Sequence, residues 1–142
     1  MRFWDTSAIV PLFLSEPHSE AVTKALKDDR DMITWWGSSV ECVSAIRRRE
    51  RDGRLSAPDL NRALELLSDL EESWSVILPG SLVKSTAKRL LAVHQLRAAD
   101  SLQLASAITW RDNPSERPEF VCLDERLSDA AAREGFRCLP AT

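Results

Sequence analysis

Residues 1–10 read MRFWDTSAIV. An apolar run stops at Asp5 and resumes as SAIV within three residues, so the aspartate sits where one element ends and another begins. The run before it has the residue types of a short strand and the run after it is helical in pattern. The stretch therefore predicts a strand-to-helix turn with Asp5 at its corner. A carboxylate at such a corner has two physical uses: it accepts hydrogen bonds from the free N–H groups of the first helical turn, or it holds a cation. The two are compatible.

Working outward, the same alternation recurs. TSAIVPLFL (6–14) predicts a helix broken near Pro11 or ending before Pro17, and Ser15 with Pro17 predicts a second helix running toward Lys27. DMITWW (31–36), WSVIL (74–78), EFVCLD (119–124) and FRCLP (136–140) predict further strands, the last at a sheet edge. Helices are predicted over 39–52, closed by Gly53, and from Ser56, where Asp59 follows as in a capping box. Leu60, Ala63, Leu64, Leu67 and Leu70 make one apolar stripe on that helix. PGSLVKSTAKRLLAVHQ (79–95), the apolar AADSLQLASAITW (98–110) and ERLSDAAARE (125–134), closed by Gly135, complete the set. Strands alternating with helices imply an α/β fold, a three-layer α/β/α domain with a small, mainly parallel sheet and additional helices projecting from one end.

The chain of 142 residues suits one domain, spanning 1–142, that buries ~68% of its unfolded surface. Hydrophobic residues at 44%, charged residues at 29%, four glycines and seven prolines describe a globular protein. No stretch has the length of a membrane span, and Asp5 interrupts the region where a signal peptide would carry its apolar core, so a soluble, cytoplasmic protein is expected. A net charge of -3 argues against coating nucleic acid by bulk charge. Cys42, Cys122 and Cys138 match no zinc spacing and read as small buried residues. His18 and His94 carry no motif, and the glycines form neither a P-loop nor a dinucleotide fingerprint.

In a doubly wound sheet the functional crevice lies at the carboxyl ends of the strands. Asp5 and Asp124 each end a strand, while Glu41 and Asp100 fall in first helical turns, so all four acids gather on one edge. Taken singly, each is explained as a cap: Glu41 follows Ser38 by three residues, and Asp5 and Asp124 precede helices. Taken together they resist that explanation, because two carboxylates ~4 Å apart repel by about 4 kcal/mol at an effective dielectric near 20, more than a cap contributes. Such a cluster shares protons or holds a cation, and all-oxygen donors select a hard ion, Mg²⁺ or Mn²⁺. The chemistry commonly served by that arrangement is phosphodiester hydrolysis.

Four segments in order now become specific. FWDTSAIV (3–10), SSVECVSAIRR (38–48), LRAADSLQLASAI (96–108) and FVCLDERLSDAAAREGF (120–136) resemble the four motifs of the PIN-domain nucleases, and their order and spacing are similar to the VapC-type toxins of bacterial toxin-antitoxin pairs. The resemblance implies a metal-dependent endoribonuclease with Asp5, Glu41, Asp100 and Asp124 as the metal-binding acids and Mg²⁺ or Mn²⁺ as cofactor. It further implies an RNA substrate, a cognate antitoxin as partner, homodimerisation, and Ser7 ordering the site beside the first aspartate. The chain departs from the family at Cys122, where a threonine or serine often stands two residues before the fourth acid.

RRRERDGR (47–54) supplies arginines suited to RNA phosphates, with Arg47, Arg48 and Arg51 as candidates and Arg97 beside the third acid as another; a solvated helix end explains the run about as well. Trp4 is expected in the core, whereas Trp35 and Trp36 are open between core and base stacking. The Leu60 to Leu70 stripe reads as core, part of which the resemblance would expose as an antitoxin groove. Two rival readings remain: a PIN scaffold that binds RNA or a protein without cutting, and a receiver domain, which needs adjacent acids after strand one and an aspartate after strand three. Neither receiver feature is present in MRFWD or WSVILPGS.

Overall fold

A computed structural model describes residues 1–111 and 117–141. Five parallel strands, β1 (Arg2–Trp4), β2 (Met32–Trp35), β3 (Ser75–Ile77), β4 (Glu119–Val121) and β5 (Arg137–Leu139), form one sheet in the order β3-β2-β1-β4-β5. Phe3 pairs with Ile33 on one side and Phe120 on the other, so β1 is central and the winding reverses beside it. The sheet is wholly parallel, and β5 takes the expected edge position.

Among the described residues seven α-helices lie between the strands: α1 (Thr6–Ile9), α2 (Ser19–Asp28), α3 (Ser38–Arg51), α4 (Ala57–Ser73), α5 (Ser81–Val93), α6 (Ala98–Trp110) and α7 (Glu125–Arg133). Successive strand residues point to opposite faces, which gives two cores. Phe3, Ile33, Trp35 and Phe120 pack with α5, α6 and α7 through Leu90, Leu104 and Leu127. Trp4, Met32 and Val121 pack on the other face with α1 to α4 through Ile9, Val22, Ile46 and Leu67. The additional helices are therefore paired inside the crossovers, α3 with α4 and α5 with α6, and each buries a face instead of projecting freely.

Local chemistry sets the boundaries. The first helix breaks at Pro11, where Val10–Leu12 tightens into a 3₁₀ turn. α2 begins at Ser19 and not at Ser15 or Pro17, because the Ser19 hydroxyl accepts from Glu16 N–H and donates to the Leu14 carbonyl, closing the intervening turn. Gly53 and Gly135, with φ of 71° and 100°, close α3 and α7; the N–H groups that follow reach back to the Arg49 and Ala131 carbonyls, as a left-handed C-terminal cap requires. Ser56 accepts from Asp59 N–H at 3.2 Å, the cap expected for α4, and Leu60, Ala63 and Leu67 of its stripe are buried. Trp4 is fully buried, and Trp35 is buried while its neighbour Trp36 is 56% exposed. Among the described residues no helix is long and apolar enough to cross a membrane.

Candidate functional site

The winding reversal leaves a crevice at the carboxyl ends of β1 and β4. Asp5 N–H donates to the Val121 carbonyl at 3.0 Å, carrying the pairing of the two strands one residue beyond β1. Asp5 is the N-cap of α1, and its Oδ2 accepts from Ser7 N–H at 3.1 Å and from the Ser7 hydroxyl at 2.6 Å. Ser7 Oγ in turn accepts from Leu123 N–H at 2.9 Å, so one hydroxyl joins the first acid to the loop leaving β4. The Cys122 thiol, 3.6 Å from Asp5 Oδ2, fills the space between them. Cys122, the departure noted in the sequence, thus puts a weak sulfur donor beside Asp5 in addition to the Ser7 hydroxyl.

Asp124 caps α7, accepting from Leu127 N–H at 3.0 Å. Asp100, three residues into α6, takes the reciprocal half of a capping box through the Arg97 N–H. Glu41 behaves differently. Gly37 is the N-cap of α3 and Ser38 lies inside the helix with its hydroxyl turned toward Gln103, so the Ser38–Glu41 capping box does not form. The Glu41 carboxylate instead accepts from Gln103 Nε2 at 3.1 Å, with the Thr6 side chain, another partner of Gln103, nearby.

The acids affect one another. Asp5 is 4% exposed, and burial, opposed by the Ser7 hydrogen bonds and reinforced by Asp100, pushes its pKa up to about 6. Burial, then the charge of Asp5, raises Glu41 to about 7, against the bonds from Gln103 and Thr6. Burial and the neighbouring Asp124 raise Asp100, with Arg97 opposing. The four sequence-predicted acids are thus near enough to interact, and Arg97 opposes the rise of Asp100. Among the described residues no three of them close around a single point as a finished metal cage. That openness suits a magnesium-like ion, which keeps several waters and takes only one or two carboxylates directly. A hard divalent cation fits this donor set, since it would neutralise a repulsion that the protein leaves uncompensated.

Glu41, Asp100 and Asp124 line a cleft of about 940 Å³ together with Arg48, Arg97, Arg126 and His94. Two of the arginines singled out in the sequence, Arg48 and Arg97, thus stand on its wall; Arg47 is paired with Glu50 at 3.0 Å, and Arg51, exposed at the end of α3, stands apart from the lining. Sequence reasoning missed Arg126, whose place depends on how α7 packs, and Gln103 and Thr6, which hold Glu41. No acid follows β3, where Leu78 and Pro79 leave the sheet, so a receiver-type phosphorylation pocket is absent there.

A doubly wound parallel sheet with acids from four helix starts at its reversal point defines a class of α/β proteins built around a polyanionic crevice. A family model for the PIN domain matches residues 2–133, and the chain belongs to the PIN domain family. Among solved structures, a chain from a toxin-antitoxin complex from Klebsiella pneumoniae shares the fold with a TM-score of 0.61 at 15% identity, covering 89% of this chain and 88% of that one. No curated protein matches the chain in sequence.

Proposed function

We propose that the protein is a metal-dependent endoribonuclease of VapC type, the toxin of a toxin-antitoxin pair, acting in the cytoplasm as a homodimer that a cognate antitoxin silences. The observation that carries this reading is the convergence of Glu41, Asp100 and Asp124 on one cleft whose wall also holds Arg48, Arg97 and Arg126, with the buried Asp5 close enough to raise Glu41. Acids that repel one another in the centre and cations at the edge suit a phosphodiester backbone laid across a divalent ion. Membership of the PIN family and the fold shared with a chain of a toxin-antitoxin complex support it.

Asp5, Glu41 and Asp100 would hold the principal Mg²⁺ or Mn²⁺, with Asp124 completing the site or holding a second ion. When bound, the ion supplies a lowered water pKa and charge stabilisation at the leaving oxygen. The rim arginines would hold the flanking phosphates in place. The hydroxyl and thiol beside Asp5 are poor nucleophiles: the Ser7 hydroxyl is committed to Asp5 and Leu123, and burial with the Asp5 charge pushes the Cys122 thiol far above neutrality. Water is then the attacking group, in line with the departing oxygen, and no covalent protein intermediate forms.

The test is cleavage of a mixed RNA pool with Mg²⁺, Mn²⁺ or EDTA. Wild type is expected to cut only with a divalent ion, and Asp5→Asn and Asp100→Asn are expected to fold yet cut at least ~10- to 100-fold more slowly, the range that disturbing a metal's surroundings commands. Variants that cleave normally would remove the assigned roles. The alternative of a scaffold that binds RNA or a protein without cutting draws on the lack of a closed three-acid cage among the described residues. It is favoured if RNA is bound but left whole with either ion.

A further inference from the structure

We infer that Gln103 is a positioning residue that sets the place of Glu41 and, through it, the spacing of the acid cluster; the inference rests on the metal-dependent reading above. Gln103 is fully buried, three residues beyond Asp100 on α6, so both side chains leave the same face of that helix. Its Nε2 lies 2.9 Å from Thr6 Oγ1, 3.1 Å from Ser38 Oγ and 3.1 Å from Glu41 Oε1. Two amide hydrogens are thus divided among three oxygens. The Ser38 hydroxyl approaches Gln103 Oε1 at 3.4 Å, so both ends of the amide are occupied.

The partners decide which way the amide faces. A carboxylate only accepts, so the nitrogen and not the oxygen must face Glu41. Thr6 and Glu41 both accept from Gln103 Nε2, so the one amide nitrogen bridges the start of α1 and the first turn of α3. Each partner also begins a helix that carries an acid: Thr6 follows Asp5 in α1, Ser38 and Glu41 open α3, and α6 itself carries Asp100. One amide therefore ties together the three helix starts that bear the principal acids. Among the described residues no salt bridge holds Glu41 toward Asp5 and Asp100, whose charges push it away. The neutral donor of Gln103 does so.

Gln103→Met keeps the length of the side chain and removes its donors. Metal-free crystals of that variant are expected to show the Glu41 carboxylate turned away from Thr6, a readout independent of activity. Calorimetric titration with Mn²⁺ is expected to show affinity lowered ~10- to 100-fold, and kcat is expected to fall while KM for RNA stays within about two-fold. Ser38→Ala removes one of Gln103's contacts but leaves those to Thr6 and Glu41, and is expected to lower Tm with Mn²⁺ affinity and kcat nearly unchanged. If Gln103→Met does not fold, Gln103→Glu, which keeps the shape but places an acceptor opposite Glu41, is expected to show the same losses. An unmoved Glu41 carboxylate, or equal losses of Mn²⁺ affinity in the Ser38 and Gln103 variants, overturns the inference. A wild type that neither binds Mn²⁺ nor cleaves RNA would instead remove the enzymatic reading, and the crystal comparison still decides what Gln103 does.

Discussion

At the scale of single residues, Asp5 serves the capping use that its position suggested. It caps α1 through Ser7 and stands in the acid cluster at the same time. The hydroxyl of Ser7 makes this possible, since it donates to Asp5 while accepting from Leu123 N–H. Ser7→Ala would strand that N–H and take a donor from a buried carboxylate. We expect a loss of about 1 to 3 kcal/mol in chemical denaturation, the usual cost of an orphaned buried group. A loss below about half a kcal/mol would mean that water replaces the hydroxyl without penalty. The placement of the four acids at helix starts was readable from sequence because pattern changes are sharpest at element boundaries. Gln103 was not, although LQLASA did carry a signal: a polar residue within an apolar buried helix must find partners. Which partners it finds depends on α1 and α3 arriving from far along the chain, which periodicity does not reveal.

At the scale of elements, the helix and strand order was legible almost throughout, since hydrophobic spacing and glycine caps mark these boundaries strongly. The exceptions have local causes, as at the start of α2, where the Ser19 hydroxyl closes a turn that the serine and proline upstream seemed to open. The arginines show the limit of reading an element alone. Arg47 and Arg48 are adjacent on α3, yet Arg48 faces the acid cleft and Arg47 turns to Glu50. α7 adds Arg126 to the same wall because Leu127, Ala130 and Ala131 fix its other face in the core. Arg126→Gln is expected to raise KM for RNA and to lower the slope of log affinity against log salt by about one phosphate contact, whereas Arg47→Gln is expected to leave both nearly unchanged. Equal effects of the two substitutions in a salt titration would count against a bound path along this cleft.

At the scale of the whole molecule, the acid cluster makes stability depend on pH in an unusual direction. Asp5 and Glu41 hold protons more tightly when folded, with pKa values of about 6 and about 7 against 3.8 and 4.5. The folded state therefore binds more protons between about pH 4 and 7, and metal-free stability falls as pH rises through that window. For Asp5 alone the two-unit elevation corresponds to about 3 kcal/mol. Glu134 works the other way: Arg89 and His94 hold its pKa down, so its contribution is present above the ordinary glutamate range and is lost as pH falls further. Melts without metal are expected to give a higher Tm at pH 5 than at pH 7.5. Adding Mn²⁺ at 100 times its dissociation constant at pH 7.5 should recover about 2.7 kcal/mol, or roughly 5 to 10 °C. A metal-free Tm that rises from pH 5 to 7.5, with no response to the ion, would contradict this account.

The central place of β1 carries a consequence for how the protein comes into being. Residues 3 and 4 wait for residues 120 and 121 before the crevice has its second wall, and Asp124 follows immediately after. During translation, therefore, a ribosome-bound chain that already displays Asp5 has no assembled crevice until β4 has emerged. Fragments ending before residue 119 lack that second wall, and on the proposed reading they are expected to leave RNA uncut.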